Sequence, residues 1–163
     1  ELIAVLSGDA PAADKALACK GLAVYGSSAS VAELAKLLSD PQLASWARIP
    51  LEAIPGPAAD DALRVATESL QGNLLIGVIN SIGIRRDSAA VDLLSGRLKD
   101  EDVEIATAAA IALGRIGNEA SAKALRKALP EATAQLRAGV AEACILCAER
   151  FLADDHAAEA AAI

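Results

Sequence analysis

The sequence predicts an all-α protein, an α-solenoid (α-α superhelix) of about five helix–turn–helix repeats. One apolar position recurs with spacings of 29, 31, 31 and 31 residues, at Leu22, Leu51, Ile82, Leu113 and Cys144. The composition is 54% hydrophobic but only 2% aromatic, because alanine supplies the excess. Alanine has the best helix propensity and allows helices to approach closely. A period near 31 without strand signals is typical of stacked helical repeats.

The first helix of each repeat is predicted from apolar residues at i, i+4 and i+8, which lie along one helix face. Four residues before the recurring position stand Ala18, Ala47, Val78, Ala109 and Val140. Eight residues before it stand Leu43, Leu74, Ile105 and Leu136, with Asp14 as the exception. Three residues after it stand Tyr25, Ile54, Arg85, Ile116 and Cys147. We expect Ile84 to fill the apolar position that Arg85 interrupts.

A stop follows each first helix, at Gly26-Ser27, Pro55-Gly56-Pro57, Arg86-Asp87 and Gly117-Asn118. Glycine just past a helix end can adopt a positive φ, and Ser, Asp or Asn can cap the next helix. A second apolar stripe then predicts a second helix in each of four repeats. Its members are Val31, Leu34 and Leu38; Leu63, Ala66 and Leu70; Val91, Leu94 and Leu98; and Ala122, Leu125 and Leu129.

These stripes predict one array over 1–163, with repeats at approximately 9–40, 41–72, 73–100, 101–130 and 131–163. Residues 1–8 match the end of an earlier second helix. Neither end shows the polar face that closes such an array, so we expect the chain to be part of a larger protein or to pair at its ends. Pro50 lies inside a first helix and is expected to bend it.

The segment "EDVEIATAAAIALGRIGNEASAKALRKAL" closely resembles the HEAT-like repeat of the phycobilisome-lyase type. Its pattern is an acidic link, an Ala-rich helix, Ala-Leu-Gly-x-Ile-Gly and a second helix, and the resemblance is strongest from 73 to 147. The resemblance implies the fold but little about function. The family's usual Arg, which commonly reaches a neighbouring acidic link, matches Arg137 and Lys15. Ala44, Leu75 and Ala106 replace it in the middle repeats, where we expect packing to hold the repeats together.

The charge and composition exclude several kinds of partner. A formal net charge of −7 argues against nucleic acid, because binding to phosphates requires clustered Lys and Arg. Charges or turns interrupt every apolar stretch well before about 18 residues, so no membrane span is predicted. Three cysteines form no disulfide framework and leave the compartment open, either cytoplasmic or exported.

Few residues suggest chemistry. The Cys144–Cys147 pair could be a redox motif or half a metal site, but it occupies apolar first-helix positions, so core packing is expected. Ala148 follows it instead of His, which excludes attachment of a c-type haem. His156 has no convergent partners and is expected at the surface. Arg85 and Arg86 could receive an anion, although capping of the first helix is favoured. No catalytic residue, cofactor or metal site is predicted.

The predicted function is a non-catalytic scaffold or helper domain that binds a protein partner, or an adjacent domain of the same chain. Stacked second helices are expected to line the concave surface that binds partners in such arrays. Candidate contacts are the polar residues beside the second stripes: Glu33, Lys36, Arg64, Glu68, Asp92, Arg97, Lys123, Arg126 and Lys127.

Three other functions stay open at this point. The family resemblance suggests a phycobilisome-lyase-like chromophore lyase, and similar arrays suggest an accessory module of an exported multidomain enzyme. A solenoid that binds DNA lesions is disfavoured by the net charge of −7 and the three aromatic residues. The sequence does not predict the oligomeric state.

Overall fold

The computed structural model describes residues 1–163, and every regular element in it is helical. The α-helices are α1 (Leu2–Ser7), α2 (Ala12–Tyr25), α3 (Ser28–Lys36), α4 (Ala44–Ala53), α5 (Pro57–Ala66), α6 (Gly72–Arg85), α7 (Val91–Arg97), α8 (Val103–Ile116), α9 (Glu119–Glu131), α10 (Ala134–Ala153) and α11 (Ala157–Ala161). Two short 3-10 helices, Leu37–Ser39 and Ser88–Ala90, lie beside α3 and α7. The predicted all-α solenoid is confirmed. None of these helices is long and apolar enough to cross a membrane.

The chain forms two compact units, unit 1 (Glu1–Ser81) and unit 2 (Ile82–Ile163). In unit 1, α2 packs beside α4 and α3 beside α5, while α1 covers α2 and α3. In unit 2, α8 packs between α7 and α10, and α9 packs against α8 and α10. The recurring apolar position is buried in every repeat, as predicted, at Leu22, Leu51, Ile82, Leu113 and Cys144.

Two residues assigned to the apolar stripes are exposed, and three others, Leu74, Ala66 and Leu129, are only half-buried. Tyr25 is 82% exposed, because it ends α2 and the chain turns away in an extended conformation at Gly26. Ile84 is exposed as well, so the expectation that it replaces Arg85 was wrong. Two residues beyond Ile82 correspond to a rotation of about 200° around the helix, which carries Ile84 away from the buried face.

The stops use glycine for two different reasons. Gly117 adopts a φ of 62°, the left-handed conformation that the sequence predicted. Gly26 has a φ of −69°, so the same expectation was wrong there. A Cβ on Gly26 would overlap the carbonyl oxygen of Leu22, so this stop needs glycine for space rather than for its φ.

The glycine of the Ala-Leu-Gly phrase permits close contact between first helices in unit 2. A Cβ on Gly114 would lie 2.5 Å from the carbonyl oxygen of Ala143, and one on Gly83 would lie 2.8 Å from the Cα of Ala112. Glycine is therefore required where α6 and α10 meet α8. Ala106, at the position of the family's usual Arg, is also buried, which agrees with packing in place of a charge ladder.

Polar contacts in unit 1 add to this packing and were not predicted. The Arg48 guanidinium of α4 donates to the Gly77 carbonyl of α6 at 3.0 Å. The buried Ser81 hydroxyl lies 2.6 Å from a carboxylate oxygen of Glu52. In unit 2, Arg137 donates to the Ala132 carbonyl at 3.0 Å, within its own turn. The contacts between helices thus come from Arg48 and Glu52, at positions other than the family's usual Arg, whereas Arg137, which stands at that position, bonds only locally.

Candidate partner-binding surface

A groove of about 860 Å³ lies in unit 2, between the ends of α7 and α9 and the starts of α8 and α10. Apolar side chains line it, including Leu98 just past α7, Val103 of α8, Ala128 of α9 and Leu136 of α10. Charged residues of both signs stand around them, namely Lys99, Asp100, Glu101, Lys127 and Glu131. An apolar floor with a charged rim is the arrangement that side chains of a protein partner can fill. We call this site the unit-2 groove.

Local hydrogen bonds define the ends of the helices that border the unit-2 groove. Arg97 pairs with Asp100 at 3.0 Å, across the turn that follows α7. The Asp102 carboxylate then accepts a bond from the Glu104 N–H at 2.9 Å and caps α8. Side-chain caps satisfy N–H groups that a helix start would leave without partners. The rim is therefore built on ordered helix ends.

One wall of the unit-2 groove is open because it contains a glycine. Gly96 lies in the last turn of α7 and lines the groove. A Cβ at this position would meet no heavy atom within 4 Å. A larger side chain at residue 96 therefore has room beside the groove without moving the backbone.

The three basic candidates of α9 face two different sites. Lys127 lines the unit-2 groove. Lys123 and Arg126 instead line a smaller cavity of about 440 Å³, together with residues of α10 and α11. Arg126 also donates to the Ala162 carbonyl at 2.9 Å, just past α11. Only Lys127 therefore combines exposure with a place on the groove.

The other candidates are spread over both units and are mostly paired locally. Lys36 contacts Glu33 at 2.7 Å, one turn earlier in α3. Arg64 pairs with Asp61 in α5, and Arg97 pairs with Asp100 as described. The remaining two, Glu68 and Asp92, are exposed. Their role as contacts with a partner stays a prediction.

The cysteines lie in the core, as the sequence predicted. Cys144 and Cys147 are buried in α10, and neither forms a disulfide. The pKa of Cys147 is raised to about 11, mainly by burial and also by the neighbouring Cys144, while the Arg126 cation opposes the rise. A thiol with a raised pKa is a poor nucleophile at neutral pH, because the thiolate is the reactive form. This geometry disfavours redox chemistry at the pair.

The other residues considered for chemistry have local structural roles. His156 is exposed, as predicted, and its Nδ1 lies 3.5 Å from a carboxylate oxygen of Glu159. Asp87 caps the following 3-10 helix by accepting from the Ala89 N–H. No group of three or more His, Cys, Asp or Glu side chains is arranged to hold a metal ion.

Sequence reasoning missed most of the unit-2 groove. Val103, Ala128 and Leu136 line it together, although they come from different helices. The only available signal was that links such as "KDEDV" place apolar and charged residues side by side. Such a pattern does not reveal which links approach each other.

The chain is similar to a known protein family. The pattern described as HEAT repeats matches residues 59–145, more than half of the chain. Of the curated proteins compared, none matches the chain.

Proposed function

Because the chain belongs to the HEAT repeat family, we propose that it is a non-catalytic scaffold that binds a protein partner, or an adjacent domain, in the unit-2 groove. HEAT repeats generally serve as protein-interaction scaffolds, and the fold is usually non-catalytic. The observation that carries the proposal is the groove of about 860 Å³ with an apolar floor and a charged rim. The chromophore-lyase and accessory-module functions stay predictions without a structural observation in their favour.

Charge and shape suggest how the partner binds. Lys99 and Lys127 stand on the rim with Glu101 and Glu131, so charges of both signs surround the floor. A partner segment with an apolar side chain as anchor, flanked by charges of both signs, complements this arrangement. Rim charges mainly orient the partner and raise its association rate, whereas the buried anchor supplies most of the affinity.

The test fills the unit-2 groove and leaves the rest of the molecule unchanged. Gly96→Trp adds a large ring to a residue that lines the groove, and Gly96→Ala, whose Cβ meets no heavy atom within 4 Å, is the matched control. Proteins that the wild type captures from a lysate of the source cells should be lost with Gly96→Trp and retained with Gly96→Ala. Circular dichroism should show equal helix content in all three proteins.

Charge reversal provides a second comparison within one helix. Lys127→Glu should weaken capture, whereas Lys123→Glu, on the same helix but outside the groove, should leave it unchanged. If Gly96→Trp and Lys127→Glu both capture the same proteins as the wild type, the groove is not the binding site.

A further inference from the structure

A second surface, in unit 1, exposes large apolar side chains. Leu17 is 68% and Val24 is 73% exposed in α2, while Trp46 is 41% exposed in α4, next to the exposed Ile49. Among the large hydrophobic residues of the second helices α3, α5, α7 and α9, only Val65 is comparably exposed, at 62%. The exposed apolar side chains are therefore concentrated on first helices, away from the helices predicted to bind partners.

Helix geometry places these side chains on one face. Leu17 and Val24 are seven residues apart and Trp46 and Ile49 three apart, so each pair shares one side of its helix. The helices α2 and α4 pack side by side, and a groove of about 480 Å³ between them is lined by Leu17, Lys20 and Trp46. We call Leu17, Lys20, Val24, Trp46 and Ile49 the α2–α4 face.

Folding of the array does not require large side chains at these positions. Leu17 and Trp46 each stand five residues before the recurring apolar position of their repeat. In the later repeats this place is occupied by Gly77, Ala108 and Gly139. The apolar residues that form the core lie on other sides of the same helices, for example Leu22 in α2 and Leu51 in α4. Leu17 and Trp46 thus provide contact area beyond what the core uses, and exposed Trp is a side chain enriched in binding hot spots.

The charge of the α2–α4 face indicates the chemistry of its occupant. Lys20 is the only charged residue lining the groove between α2 and α4, and no carboxylate lines it. A symmetric contact with a second copy through this groove would bring Lys20 towards its own counterpart, which is unfavourable. The complementary surface is apolar and carries a carboxylate.

We propose that the α2–α4 face docks an amphipathic helix of a partner protein, with its apolar side on Leu17 and Trp46 and an acidic residue opposite Lys20. Recognition of this kind places an amphipathic helix in an apolar groove through side chains spaced three and four residues apart. The site is separate from the unit-2 groove and does not rest on the function proposed for it.

Trp46 is the only tryptophan in the chain, so its fluorescence reports binding at this face directly. The probe is a synthetic helical peptide of about 18 residues, or five turns, with leucines along one side flanked by glutamates. A matched peptide carries lysines in place of the glutamates. At low ionic strength, the acidic peptide should shift the Trp46 emission to shorter wavelength and bind at least about three-fold more tightly than the basic peptide.

Variants connect the signal to the α2–α4 face. Lys20→Glu should reverse the preference between the two peptides. Leu17→Ser should weaken binding of the acidic peptide about ten-fold, because it removes an apolar contact. Val65→Ser, which removes the exposed apolar residue of α5, is the control and should bind like the wild type.

Three results would overturn the proposal. The first is no change in Trp46 emission with either peptide up to about 1 mM, a range in which even weak binding is measurable. The second is equal affinity for both peptides, which would leave Lys20 without a role. The third is a concentration-dependent dimer in sedimentation of the free protein that Leu17→Ser abolishes, because a second copy would then be the occupant.

Discussion

At the residue scale, Arg86 adopts a backbone conformation that normally favours glycine. Its φ is 54°, close to the 62° of Gly117, which occupies the same place at the end of the next first helix. A side chain in the left-handed region costs about 1–2 kcal/mol. Replacing it with glycine recovers only part of this energy, because glycine also gives the unfolded chain more conformational freedom. Arg86→Gly should therefore raise the free energy of unfolding by about 0.5–1 kcal/mol, as measured by urea denaturation.

Gly117→Ala is the matched control for that substitution. It should lower the free energy of unfolding by more than about 1 kcal/mol, because its Cβ would overlap Arg150 as well as strain the backbone. A loss of stability in Arg86→Gly would contradict the prediction and mean that the arginine side chain holds the turn.

A second effect at this scale concerns pH. The pKa of the Cys147 thiol is about 11 in the folded protein and near 9.0 when unperturbed, so unfolding releases a proton between these pH values. The stability associated with the buried thiol is fully present below about pH 9 and is lost as the pH rises towards 11. Thermal denaturation at pH 8, 9 and 10.5 should show a falling Tm. Cys147→Ala should show a smaller fall, and an identical fall would assign the effect to other groups.

At the scale of single helices, α7 contains a glycine with no structural need for it. Gly96 lies within α7, where a Cβ meets open space. Gly96→Ala should raise the free energy of unfolding by about 0.5–1 kcal/mol, because alanine has the higher helix propensity. Chemical denaturation measures the change.

The comparison for α7 is a glycine that the packing requires. Gly83→Ala also replaces a helical glycine, but its Cβ would lie 2.8 Å from the Cα of Ala112, so this variant should lose stability. If both substitutions were equally stabilising, close contact of α6 and α8 would not be the reason for the glycine at residue 83.

The apolar stripes predicted which helices form, but some local details differ. Buried apolar residues such as Leu51 and Leu113 recur along the chain, because each first helix packs one apolar side against its neighbours. The link after α9 starts later than the sequence indicated, because α9 continues through Pro130 to Glu131. A proline in the last turn removes only one N–H donor, and one further residue can still remain helical. Periodicity alone does not resolve such ends.

At the scale of the whole molecule, the period of about 31 residues predicted the order of the helices, whereas it could not predict the candidate sites. The unit-2 groove combines Leu98, Val103 and Leu136, whose separation depends on how the helices pack rather than on their spacing in the sequence. The α2–α4 face was overlooked for a different reason. Leu17 and Trp46 lie outside every stripe, and the sequence alone does not distinguish an exposed apolar residue from a buried one.

The close contacts of α8 have a consequence for how such an array can grow during evolution. Ala112 packs against Gly83 of the preceding first helix. Two residues further along the same helix, Gly114 packs against Ala143 of the following first helix. One first helix therefore carries both the alanine and the glycine that these close contacts need. A duplication of the gene segment for α8 and α9 would insert a repeat that offers an alanine to the helix before it and a glycine to the helix after it. The one new junction, between the two copies, would place Gly114 of the first against Ala112 of the second, so the lengthened chain could pack there without any compensating mutation.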